Sequence, residues 1–226
     1  MTRTNTNGRL LGRALPHVQL AAIAAIAISA PACKTAGWLA NAVGGGPKKV
    51  EVEAQYRGLE NSQVAVLVAA PDTTLYQHPR APQMVGRAVT ARIAARVQGA
   101  VVSDPDQIAA FQRQNAAWTG VPPTQLFERL AVDRIVMVDL AEYSTHEPGN
   151  AHVFRGVVVG KVGVFAADSE DPNSFAYSQL VSSHYPPGGG LGLLEDDAAT
   201  IELGMLNQFA ERAAGLFYDH TVVQEE

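Results

Sequence analysis

Residues 126–143, LFERLAVDRIVMVDLAEY, decide the fold. Phe127 and Leu130 give the first part an apolar side at helical spacing. Ile135, Val136, Met137, Val138 and Leu140 then form a nearly continuous apolar run rich in β-branched residues. Such a run suits a strand covered on both faces. A short helix, a tight turn and a buried central strand are expected here.

Upstream of that strand, Val64–Ala70, VAVLVAA, reads as a second apolar strand ended by Pro71, and Thr73–Pro82 reads as irregular. Over Gln83–Gln98, Val85, Val89, Ile93 and Val97 recur every four residues while Arg87, Arg92 and Arg96 fall off the stripe. That is an amphipathic helix with a solvated basic side, and Gly99 stops it. Ala100–Val102 is a short strand. Asp104, Pro105 and Gln107 then open a helix with a cap, a first-turn proline and a residue able to reach back to the cap. Gly120 and Pro122-Pro123 break the chain before the central unit.

Downstream, Thr145–Asn150 is a turn, and Val153–Ala167 and Phe175–His184 pair as a hairpin around the polar loop Asp168–Ser174. Pro186–Gly192 is a loop whose spacing does not match a dinucleotide fingerprint. Ala198–Tyr218 closes the chain as a helix, with Ile201, Met205, Phe209, Ala213 and Phe217 in an unbroken four-residue series. The expected class is α/β shading into α+β: a mixed sheet of about five strands with helices packed on it.

The amino-terminal end carries a different message. Arg3, Arg9 and Arg13 form a basic region free of acids, Val18–Ile28 is a short apolar run, and Ala30-Pro31-Ala32 offers a small-residue cleavage site. Residues 1–32 therefore read as a secretory signal peptide rather than a membrane span. Cys33, the single cysteine, follows at once, so no internal disulfide can form. Its position resembles the lipidated cysteine of bacterial lipoproteins, although Ala30 and Pro31 depart from the usual residues there. The same triplet suits the ordinary signal peptidase, which would leave Cys33 unmodified. Residues 33–49 read as a flexible tether containing Gly44-Gly45-Gly46-Pro47, and residues 50–226 as one α/β domain facing the periplasm. The formal charge is −5, and loss of the three leader arginines makes the remainder more acidic. With no basic stripe, nucleic acid is an unsuitable partner.

Three segments together resemble the small α/β domain of the curli-secretion channel lipoprotein, the amino-terminal domain of the Tol-system periplasmic protein and related envelope lipoproteins. They are Val64–Ala70, the run Leu130–Val138 with Asp133 before its strand, and Val157–Asp168 followed by Phe175–Ser183. Val132 stands where that group commonly has glycine. The resemblance implies a periplasmic adaptor or assembly role and no catalytic residues. The transmembrane hairpins of the pore-forming members are not evident, so a pore role does not carry over.

The chemistry-bearing residues fit no catalytic pattern. His146, His152 and His184 are scattered, with Glu147 beside the first, and no metal-ligand spacing or nucleophile elbow accompanies them. The function expected is a lipid-anchored, non-enzymatic adaptor that needs no cofactor or metal. It would bind another envelope protein, in the outer rather than the inner membrane. The alternative is an exported hydrolase-like enzyme using those histidines near the hairpin. The contact surfaces expected are Tyr185 with Gly188, Gly189 and Gly190, and an exposed sheet edge, which a second copy of the chain could also occupy.

Overall fold

The computed structural model describes residues 49–147, 149–187 and 198–223. The leader, Cys33, most of the tether and Gly188–Gly190 lie outside these residues. The described residues belong to the compact unit Pro47–Glu226.

The central strand forms where the apolar run predicts it. In chain order the elements are β1 (Lys49–Val52), β2 (Gln63–Ala69), α1 (Asp72–Gln77), α2 (Ala81–Arg96), β3 (Val101–Val102) and α3 (Pro105–Gln114). There follow a 3-10 turn at Trp118–Gly120, α4 (Pro123–Leu130), β4 (Arg134–Glu147), β5 (Asn150–Ala166), β6 (Tyr177–Tyr185), α5 (Ala198–Gly215) and β7 (His220–Val223). The main sheet has five strands in the order β3-β2-β4-β5-β6, and β1 pairs with β7 in a separate two-stranded sheet. β2 runs parallel to β3 and β4, whereas β4, β5 and β6 are antiparallel. The mixed sheet with helices packed on it is thus the fold class read from the sequence.

Alternation along β2 sends its side chains to two cores. Val64, Val66 and Val68 join Val136, Val138 and Leu140 under α2 and α5. Ala65 and Leu67 join Ile135 and Phe165 under α3, α4 and Trp118. The predicted stripe of α2, Val85, Val89, Ile93 and Val97, is buried. Ile201, Met205, Phe209, Ala213 and Phe217 have no accessible surface at all. Each large apolar side chain so buried stabilises by about 1.5–3 kcal/mol.

Asp104 caps α3 as the sequence suggests, accepting from the Asp106 N–H at 2.7 Å. Ala131 ends α4 in the left-handed region at φ 52°. Asp133 then locks the start of β4 to β2: its N–H donates to the Gln63 carbonyl at 2.9 Å, and its carboxylate accepts from the Gln63 N–H at 3.2 Å.

Two expectations need correction. Thr73–Pro82 is not wholly irregular, because one helix covers Asp72–Gln77 and the next begins at Ala81, which leaves only residues 78–80 outside helix. The turn expected over Thr145–Asn150 is far tighter, since β4 runs to Glu147 and β5 begins at Asn150. Tyr143 and Thr145 point inward there and carry the strand onward.

Candidate functional site

β6 reads YSQLVSSHY, with no charge and no proline. Its alternation seats one side on the helical layer. Val181 and Ser183 are buried, and the Ser183 hydroxyl donates to the Met205 carbonyl at 3.3 Å. Tyr177 stacks on Tyr56 with ring centroids 5.5 Å apart and meets Phe217 edge-on. Tyr185 is half-buried over Gly204, where an added Cβ would lie 2.6 Å from the tyrosine ring. The Tyr185-Pro186 peptide is cis. Tyr185 therefore sits at the end of β6 as a packing residue against α5.

The other side of β6 faces solvent. Leu180 is 65% exposed and pairs with Lys161 of β5. The Lys161 ammonium lies 4.4 Å from the centroid of Phe175, which in turn stacks on Phe165. Leu180 and Phe175 thus form an apolar strip flanking one cation.

Among the described residues no further strand pairs with β6. The strand ends the sheet, and its pairing with β5 holds one register through nine residue pairs, Gly156↔Tyr185 to Val164↔Tyr177. By contrast, the β4–β5 ladder has three register shifts. Edges are ordinarily guarded by charges, prolines, bulges or brevity. β6 has none of these within it. Among the described residues one guard is present: Arg212 of α5 donates to the Ser182 carbonyl at 2.6 Å. At the opposite edge β3 has only two residues.

The three histidines do not assemble. His146 Nδ1 is 2.9 Å from the Thr145 hydroxyl, and its ring packs on Phe154. Glu147, its neighbour in sequence, pairs instead with Arg155 at 3.2 Å. His152 and His184 are exposed, on β5 and β6 respectively. The Ser144 hydroxyl donates to the His146 carbonyl at 2.9 Å. Among the described residues no three His, Cys, Asp or Glu side chains converge as a metal would require. Near the hairpin the Tyr143 hydroxyl donates to Glu202 Oε1 at 2.7 Å. Burial first, and the Glu202 carboxylate second, push this phenol well above its ordinary range. It stays protonated and ties β4 to α5.

No protein-family model and no curated protein matches the chain in sequence. Some solved structures align with it at low identity. A PelC dodecamer from Paraburkholderia phytofirmans aligns at 7% identity over 75% of this chain and 97% of that chain, with a TM-score of 0.43. Lipoprotein GNA1162 from Neisseria meningitidis aligns at 16% identity over 66% and 99% of the two chains, with a TM-score of 0.41. The hypothetical protein CT253 from Chlamydia trachomatis aligns at 13% identity over 68% and 96%, with a TM-score of 0.40. Likenesses this remote assign no function.

The strand edge itself was foreseeable only as a type. Which strand ends the sheet depends on pairings between segments far apart in the chain, so β6 could not be singled out from its residues.

Proposed function

We propose that this protein is an exported, non-enzymatic adaptor of the cell envelope, anchored through acyl chains on Cys33 and facing the periplasm from the outer rather than the inner membrane. Its partner is another envelope protein that adds a strand to β6. The observation that carries this reading is the nine-residue edge of β6, uncharged, free of proline and unbroken in register. Strand addition draws affinity from main-chain hydrogen bonds and specificity from alternate side chains. Leu180 and Phe175 supply the apolar contacts on the open face.

The test is Leu180→Glu, which places an edge charge opposite Lys161 without a like-charge clash. The side chain is 65% exposed, so folding should change by no more than about 0.5 kcal/mol. A charge on an edge strand opposes pairing. The variant should therefore melt like the wild type and lose its partner in pull-downs from detergent-solubilised membranes. Equal recovery with both proteins would rule out the edge. Recovery of the chain itself as the bound species would replace the hetero-partner with a homo-oligomer. Mass spectrometry of the mature N-terminus decides the anchor: an acylated Cys33 is expected, and a free one would leave export without lipidation.

A further inference from the structure

The connections around β2 leave the sheet on opposite faces. From β2 the chain passes through α2, packed on one face, to reach β3; from β3 it passes through α3 and α4, packed on the other face, to reach β4. The carboxyl end of β2 therefore opens between helices packed on opposite faces, and in open α/β sheets ligands sit outside such strand ends. A cavity of about 440 Å³ occupies that place, within the size range of small-molecule sites.

Its lining is part apolar and part charged. Leu75, Pro79, Pro82 and Trp118 form apolar walls, and Ala69, Ala70 and Ala109 keep the space open. Gln112 spans to the end of β2, its amide donating to the Val68 carbonyl at 2.9 Å. Two opposite charges also line the cavity, Asp72 from α1 and Arg113 from α3. Among the described residues neither enters an ion pair. The neighbouring Asp106 accepts from Arg87 Nε at 3.0 Å, and the Arg113 charge also helps to lower its carboxyl below the ordinary range.

We infer that this crevice binds a small zwitterion with an apolar side chain, of amino-acid or dipeptide size. Its carboxylate meets Arg113, its ammonium meets Asp72, and its apolar part lies against Leu75, the prolines and Trp118. A purely anionic or cationic ligand would leave one of the two rim charges facing a like charge or nothing.

The probe is L-phenylalanine, read by tryptophan fluorescence of the full chain carrying Trp38→Phe, so that Trp118 is the sole indole. Saturable change is expected. Arg113→Gln and Asp72→Asn should each weaken it about tenfold, a change of roughly one decade per 1.4 kcal/mol. Both positions are exposed, so circular dichroism should be unchanged. N-acetyl-L-phenylalanine should bind more weakly and ignore Asp72→Asn; L-phenylalaninamide should bind more weakly and ignore Arg113→Gln. No saturable signal at millimolar L-phenylalanine, or binding indifferent to both substitutions, would overturn the assignment. Neither result bears on β6, which lies at the far edge of the sheet.

Discussion

Gly156→Ala tests how α5 is seated on the sheet. Gly156 lies on β5 beneath the helix. A Cβ there would come 2.8 Å from Met205 Cβ, 2.9 Å from Met205 Sδ and 3.1 Å from Ile201 Cγ2. The sulfur can swing away, but Met205 Cβ is fixed to the helix backbone, and both Met205 and Ile201 have no accessible surface. Relief requires α5 to lift or β5 to bend. Overpacking of this kind costs about 1–3 kcal/mol. At ~2–4 °C per kcal/mol for a domain of this size, Tm should fall by roughly 2–12 °C. Gly120→Ala is the control, because a Cβ there meets nothing within 4 Å, and its effect should stay within about 0.5 kcal/mol. Urea unfolding followed by circular dichroism should show a lower midpoint for Gly156→Ala at unchanged slope. A Gly156→Ala protein as stable as the wild type, or a Gly120→Ala protein equally damaged, would refute this account of the interface.

Val138 is fully buried in the central strand between β2 and β5, so Val138→Asp should abolish soluble, cooperative folding; a variant that melts normally would contradict the core described. Asp219 is bound by Arg57 and by the Ala54 N–H at 2.8 Å, and the Arg57 bond foremost lowers its carboxyl below the ordinary range. Its stabilising effect is therefore present above the unfolded value of about 3.9 and fades as pH falls through the lower folded value. Asp219→Asn should be less stable than the wild type at neutral pH, with the gap closing in acid, as denaturation across a pH series would show; a gap independent of pH would argue against the ion pair.

The sequence made the helices of the main core legible because their apolar period is regular and their burial local. The four-residue series in α2 and α5 are buried throughout. Trp118 packs among Ile108, Leu126 and Phe127, which come from separate segments, so no local pattern announces its burial. Arg87 and Arg92, read as a solvated face, are about half and a third exposed and pair with Asp106 and Glu211 from other helices. No local pattern announces those partners. β1 and β7 escaped notice because each has four residues and finds its partner at the opposite end of the domain. The length of β4 was hidden by its register shifts, which interrupt the alternation that Tyr143 and Thr145 resume. The packing of half-buried Tyr185 over Gly204 follows from the docking of α5, which no local pattern announces.

The pairing of β1 with β7 has a mechanical meaning. Any load arriving along the chain from the amino-terminal side reaches Lys49 first, and there it is met by four ladder pairs with β7 rather than by the main sheet. Behind them stand the Ala54 N–H and the Arg57 guanidinium on Asp219, and the Gln55 and Tyr56 N–H groups on the Leu216 carbonyl. These contacts can part in succession while the five-stranded sheet keeps its pairing. A segment held by four pairs opens at lower free energy than the five-stranded sheet, so amide hydrogen exchange should reach β1 and β7 before β4 and β5.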